Sequence, residues 1–340
     1  MRALRSLCCF LALLIAGLIF GGCGAESVSK TVYALGTVCN MTIYGDEKLL
    51  DNAEQMLYDI DARMSWRRDT SEVSSINAGA GSFVKVSKDT FDVIKTACDI
   101  SAKTDGAIDI TSGILTKEWN ISEDPHVPDK ATIANGLKYI DYKKVELDEK
   151  NSSVKIAKGQ FIDVGAVAKG FAADKIAAML EEAGVDSGVL NLGGNVYIIG
   201  KKPDGSEYRI GLRDPEGAEG SYFAAAAVDG GYSVVVSGAY ERNFTENGVT
   251  YHHILDPKTG YPSKSGLKSS IVVAKTSAVA DALSTAVFVL GEEKGLAAVE
   301  KTGEAEAMVI TADNKLAVTS GFYDVCRVTL SKDCKYAEES

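Results

Sequence analysis

Between Ser187 and Val236 the chain carries five short apolar runs, at 187–192, 195–200, 207–212, 221–228 and 232–236. Each has the length of a strand, and the connections between them are brief. Strands joined this way pair antiparallel, so the stretch commits the chain to a substantial antiparallel sheet. Further alternating runs at 305–311, 315–319 and 323–330 end the sequence. From Val38 to Tyr44 the alternation sets Cys39, Met41 and Ile43 against Asn40 and Thr42, which predicts a half-buried strand. Lys144–Leu147 and Ser153–Ile156 read as short strands about a turn. Helical spacing appears over Asp46–Arg63, Ser87–Thr104, Ala168–Ala183 (closed by Gly184), Ser277–Leu290 and Glu293–Lys301. There is no internal repeat and no Pro/Ser linker. The pattern predicts an α+β protein with substantial antiparallel sheet, and the length allows one large domain or two moderate ones.

The first residues stand outside that pattern. Arg2 and Arg5 precede an apolar stretch from Leu7 to Phe20, which has the length of a signal peptide and is short for a membrane span. Gly21-Gly22-Cys23 follows, small residues before a Cys as in a bacterial lipobox. The expectation is a signal peptide at 1–22, lipidation at Cys23, a tether over 23–30 and a domain from 31 to 340, exported and lipid-anchored to the cell membrane. Outside the leader, Cys39, Cys98, Cys326 and Cys334 match no zinc spacing. Cys326 and Cys334 could pair in an exported protein, and free buried thiols are an equal expectation.

The net charge is −11, which removes the basic field that nucleic-acid backbones require. No Gly-x-Gly-x-x-Gly opens an early helix and there is no Walker-type loop, so both common nucleotide signatures are absent.

Several constellations could carry chemistry. Ile162–Ala172 runs through Asp163 and a Gly turn into a helix bearing Lys169. Free N–H groups at a helix start suit an anion, and Lys169 sits where the helix dipole alone does not favour a cation. The plainer reading is an N-cap Asp with a surface Lys. In Thr276–Ala286, Asp281 and Thr285 share one helix face among small apolar residues. A carboxylate and a hydroxyl stacked there offer hard oxygens to Mg2+, or else cap and back-bond their own helix. Tyr251–Pro262 holds His252 and His253 before the turn Asp256-Pro257-Lys258-Thr259-Gly260. Thr104–Thr111, with Asp105 and Asp109, reads as a loop after a helix, and Gly193-Gly194 reads as a hairpin. Trp66, beside Arg67 and Arg68, is either a stacking platform or a core lid.

In this order and spacing the segments resemble the ApbE family, the FAD:protein FMN transferases. The resemblance rests on Ala34–Thr37, Met64–Asn77, Asp105–Thr111 with Trp119, Ile162–Ala173, Leu190–Val196, Ser237–Arg242, His253–Pro262 and Thr276–Gly291. It implies the family's single compact α+β domain, antiparallel sheets with packed helices, similar to tunnelling-fold enzymes. It implies FAD in a cleft against Leu35, Trp66, Ala107, Ile108 and Asp109, with Asp163 and Lys169 on the dinucleotide and His253 and Ile254 by the flavin. Mg2+ would be held by the Ala166 carbonyl, Asp281 and Thr285. Leu35 stands where the family often has Met, which makes that contact apolar. Ser284 stands where some members have an acidic residue, which leaves one metal ligand missing or water-mediated.

The implied reaction splits the FAD pyrophosphate, moves FMN to a Thr or Ser hydroxyl of an acceptor flavoprotein and releases AMP. Membrane redox pumps are the kind of acceptor the family suggests. Lys169 and the helix start would offset charge on the pyrophosphate, with His253 as base and Asp256 as the alternative. Two competing readings are an FAD pyrophosphatase giving FMN and AMP, and a non-enzymatic flavin-binding lipoprotein.

Overall fold

The computed structural model describes residues 26–218 and 220–338. The leader and Cys23 lie outside the described residues. Nine strands form the main sheet: β1 (Ser27–Ala34), β2 (Thr37–Tyr44), β3 (Ser187–Leu192), β4 (Asn195–Gly200), β5 (Tyr232–Gly238), β6 (Leu267–Ala274), β7 (Ala305–Thr311), β8 (Lys315–Val318) and β9 (Ala337–Glu338). Their order across the sheet is their order along the chain. Every neighbouring pair is antiparallel except the last, β8 with β9.

Both faces of the sheet are covered, as alternating burial demands. On one face Val235, Val272 and Val309 pack under five helices: α1 (Lys48–Met64), α2 (Lys88–Lys103), α3 (Gly165–Glu182), α4 (Ser277–Leu290) and α5 (Glu292–Thr302). On the other, Val234, Ile271, Val273 and Met308 pack under a three-stranded sheet of Ile210–Arg213, Tyr222–Val228 and Cys326–Leu330. Each fully buried aliphatic contributes about 1.5–3 kcal/mol. A third, smaller cluster stands apart. Leu115, Trp119 and Ile133 gather Phe244, Tyr251 and Tyr261, and the Trp119 indole donates to the Gly260 carbonyl at 2.9 Å. Trp119, with Ile121 and Leu255 packed against the cluster, lines the cleft described below.

The structure departs from the sequence reading at several elements. β1 begins at Ser27, inside the stretch expected as a tether. Its alternation is masked because Ser27, Ser29 and Thr31 face out and an inward position is Lys30, which is ion-paired to Asp51 and Glu54 of α1. The third strand of the smaller sheet covers Ile210–Arg213 rather than 207–212. Phe322–Val325 is a helical turn, so only Cys326–Leu330 of the 323–330 run is strand. All four described cysteines are free.

Candidate functional site

The site starts where α3 crosses α4. Gly170 of α3 faces the Ser277 and Ala278 backbone of α4 with no room for a side chain. That closeness brings the buried Asp281 (3% exposed) onto α3. Lys169 Nζ lies 3.0 and 3.3 Å from its two carboxylate oxygens, and the Gly170 N–H donates to it at 2.9 Å. A buried carboxylate needs such partners. The sequence reading took α3 from Ala168; it begins at Gly165, whose exposed N–H is held by Asp163 at 2.9 Å.

Asp174, one turn further along α3, caps α4 from outside that helix. Its carboxylate accepts from Ser277 N at 2.7 Å and Ala278 N at 2.9 Å. Burial pushes its pKa up to about 6, against those two N–H groups, and the nearby Asp281 charge adds to the rise. An unfolded Asp titrates near about 3.9, so between there and about 6 the folded chain holds a proton that the unfolded chain has lost. Stability therefore falls as pH rises through that window, by up to roughly 3 kcal/mol at this one group. Asp174→Asn, neutral throughout, should flatten the slope of the urea midpoint between pH ~4 and ~6 relative to the parent. Parallel slopes in parent and variant would refute the assignment.

Asp163 sits beside Trp66, which meets Phe161 edge-on at 5.6 Å and carries the Arg67 guanidinium over its ring at 4.2 Å. Burial pushes the Asp163 carboxyl up, opposed by the Gly165 N–H, the Trp66 indole, Arg67 and Arg242. The β1–β2 turn leans over the same space. Leu35 (φ +53°) and Gly36 (φ +68°) are both left-handed, the backbone of a type I′ hairpin. A Leu held there costs about 1–2 kcal/mol, and strain of this kind gathers at functional sites. Arg242 secures the tip by donating to the Gly36 carbonyl at 3.1 Å.

The Arg242 carbonyl also sets His253, accepting from its backbone N at 3.1 Å and lying 3.3 Å from its Nδ1. A carbonyl only accepts, so Nδ1 carries the proton and Nε2 keeps its lone pair. Burial, with Arg242 adding to it, pushes the His253 pKa down to about 3, so the ring is neutral at ordinary pH.

Two adjoining lobes, of about 360 and 670 Å3, form the cleft. Leu35, Gly36, Arg67, Asp163, Lys169 and Arg242 line both. Ala107, Ile108, Asp109, Ala166, His253, Ile254, Asp281 and Thr285 line the inner lobe, and Trp66 the outer. The expected site residues are thus brought together, with one correction. Asp256 does not line the cleft. Its carboxylate accepts from Lys258 N at 2.8 Å and its carbonyl from Gly260 N, so it builds the turn and is withdrawn as a catalytic candidate. Asp109 reaches the cleft, but its carboxylate is taken up by Thr111 N, Thr111 Oγ1 and Tyr142 N at 2.7–2.8 Å. It holds the 107–109 loop in place instead of offering a free charge.

The residues fit a hard divalent cation. All the offered donors are oxygens: the Asp281 carboxylate, the Ala166 carbonyl and the Thr285 hydroxyl, whose back-bond to Asp281 O is a loose 3.5 Å. Lys169 already places positive charge on the carboxylate. Among the described residues no group of three or more His, Cys, Asp or Glu could hold a metal, so beyond Asp281, Thr285 and the Ala166 carbonyl such an ion would draw its ligands from phosphates and water. Ser284 does not join the set. It is buried, donates to Asp281 O at 2.9 Å and meets Ser237 Oγ at 2.8 Å.

Arg67 and Arg242 were missed as site residues by the sequence reading. Arg242 lay inside a stretch that carried the resemblance, yet nothing in its spacing showed that it bridges a hairpin tip 206 positions away.

The comparisons with known proteins bear on family and fold. The family model described as the ApbE family matches residues 35–309. The chain is 34% identical to a protein of Treponema pallidum named FAD:protein FMN transferase, covering 91% of this chain and 92% of that one. A Klebsiella pneumoniae protein of the same name is also 34% identical, over 86% and 92% of the two chains. Among solved structures, the ApbE protein of Thermotoga maritima superposes with TM-score 0.81 at 31% identity, covering 88% of this chain and 99% of that one. The apo flavinyl transferase ApbE of Pseudomonas stutzeri gives TM-score 0.77 at 28% identity, over 88% and 96%. The chain belongs to the ApbE family.

Proposed function

We propose that this protein is an FAD:protein FMN transferase that moves FMN from FAD to a Thr or Ser hydroxyl of an acceptor protein and releases AMP. The observation that carries the reading is the Lys169–Asp281 pair, with Thr285 and Ala166 around it, opening into a two-lobed cleft. Two lobes suit a ligand with two ends joined by a pyrophosphate.

In the reaction the acceptor oxygen bonds to the FMN phosphorus, the bridging P–O bond breaks and AMP takes that bridging oxygen. Mg2+, held by Asp281, Thr285 and the Ala166 carbonyl, would act as a Lewis acid on the pyrophosphate oxygens. The chain's own groups do the rest. Lys169 and Arg242 line the cleft, face the pyrophosphate and offset its charge. Leu35, Ala107, Ile108 and Ile254 give apolar and backbone contact to the ligand. His253 Nε2 accepts a hydrogen bond from the acceptor hydroxyl and orients it, and the hydroxyl proton passes to the departing AMP phosphate. The low basicity of His253 suits a loose phosphoryl transition state, which asks for positioning more than for a strong base.

We further propose that residues 1–22 are a signal peptide and that Cys23 carries lipid, which places the domain outside the cell membrane. There, exported flavoproteins and subunits of membrane redox pumps are the acceptors in reach.

The test is intact mass after incubation with FAD, Mg2+ and candidate acceptor segments. An acceptor heavier by FMN, with AMP in the filtrate, is expected. Free FMN alone would make the protein a pyrophosphatase, and bound but uncleaved FAD would make it a flavin-binding protein.

A further inference from the structure

The main sheet stops at β1, and no main-chain hydrogen bond among the described residues reaches its outer edge. In a two-residue hairpin the pair flanking the turn exchanges hydrogen bonds, so Ala34, Val32, Lys30 and Val28 aim their main-chain groups at β2. Ser27, Ser29, Thr31 and Tyr33 therefore aim theirs outward. The register is continuous over eight residues, without Pro or bulge. Proteins usually blunt such an edge, because it templates strand addition. Here the single charged residue, Lys30, is turned inward onto Asp51 and Glu54.

The edge runs directly into the cleft. Tyr33 lines the outer lobe, and the Leu35–Gly36 tip lines both lobes. At that end Tyr33 (70% exposed) and its cross-strand partner Val38 (49%) form an exposed apolar pair. From Tyr33 to the tip is two residues, roughly 7 Å of strand. The other end of the sheet, β9, lies across all nine strands.

We propose that the outer edge of β1 is the docking strand for the acceptor protein. An extended segment adds to β1 through main-chain hydrogen bonds and rests on Tyr33 and Val38. It then passes the Leu35 tip, so that its Thr or Ser hydroxyl enters the cleft toward Lys169 and Asp281. The proposal rests on the transferase reading, under which a protein must meet this enzyme at the cleft mouth, and β1 is continuous with that mouth. Strand addition draws affinity from the backbone, leaving alternate side chains to set preference.

The test uses the full chain with FAD, Mg2+ and a pool of short peptides bearing a central Thr and randomised flanks. Thr31→Pro removes an outward N–H, and Pro is tolerated on an edge whose N–H faces solvent. Thr31→Val keeps the N–H and removes only the hydroxyl. Ser29→Pro is a second block, one pleat further from the tip. Both Pro variants should lose peptide labelling on the order of tenfold or more, through KM for peptide. FAD affinity and AMP release to water should stay at the parent level, and Thr31→Val should label as the parent does. Labelling undiminished in both Pro variants overturns the proposal. So does loss of FAD binding in step with labelling, since the edge would then serve the site and not the acceptor. A parent that cleaves FAD yet labels no peptide also overturns it. Light scattering that shows a dimer dispersed by Thr31→Pro would give the edge to a second copy of the chain. Failure of the transferase reading looks different: no variant releases AMP, and the proposal falls with it.

Discussion

Asp281→Ala should reduce AMP release from FAD by about 10²–10³-fold, the scale on which single electrostatic groups matter at such centres. The loss has two sources that a second variant separates. Alanine removes the one carboxylate among the proposed oxygen donors. It also leaves the Lys169 ammonium and the Gly170 N–H without the acceptor they now share. Breaking a buried pair from one side costs about 3–5 kcal/mol. Lys169 keeps 21% of its side chain in solvent and can turn outward, so the lower end of that range is expected. Asp281→Asn keeps the volume and an acceptor for Gly170, but not the charge. It should unfold within about 1 kcal/mol of the parent and still lose the activity. Urea midpoints set beside AMP release distinguish the two effects. An Asn variant that turns over like the parent would remove Asp281 from the chemistry altogether.

The parts of this architecture that were legible in the sequence are those that bury one face. β2 and α4 alternate or repeat cleanly, and α4 was read to its observed ends, Ser277 and Leu290. β6 was not read at all. Its burial is nearly continuous, because helices cover one face and the three-stranded sheet the other, and a strand buried on both faces has no alternation to detect. Its first half also holds Lys268-Ser269-Ser270, where polar groups are absorbed by partners no local pattern shows: Asn314 for Lys268, Ser284 O for Ser270. At the site, the motifs indicated which segments converge, but not what each polar group is for. Asp109 and Asp281 look alike in sequence, each a lone acid among small or apolar neighbours. The first is used up by local N–H and hydroxyl donors, whereas the second is held by a residue 112 positions away. Local bonding can be guessed from turn chemistry. Long-range pairing depends on how closely two helices approach, and that is set by a residue with no side chain.

Gly170→Ala should therefore reach the reaction although it alters no chemical group. An added Cβ would lie 2.2 Å from Ser277 O, 2.5 Å from Ser277 C and 2.7 Å from Ala278 Cα. All three are backbone atoms and cannot rotate away, so α3 and α4 must part. Ala gains about 1 kcal/mol over Gly in helix propensity, against an overpacking cost of about 1–3 kcal/mol or more. We expect a net loss of roughly 1–2 kcal/mol, which corresponds to a melting point a few degrees lower in a domain of this size. The larger effect is on activity. Separation lengthens the Gly170–Asp281 bond of 2.9 Å and moves Asp281 from Ala166, so AMP release should fall by on the order of tenfold to a hundredfold in protein that is still folded. Gly184→Ala is the control. Its Cβ would meet nothing within 4 Å, but its φ is +86°. Left-handed strain should cost about 1 kcal/mol there and leave turnover unchanged. The two variants thus lose similar stability, and only the one at the helix crossing loses the reaction. Equal turnover in both would mean that the spacing of α3 and α4 is not what holds Asp281 in place.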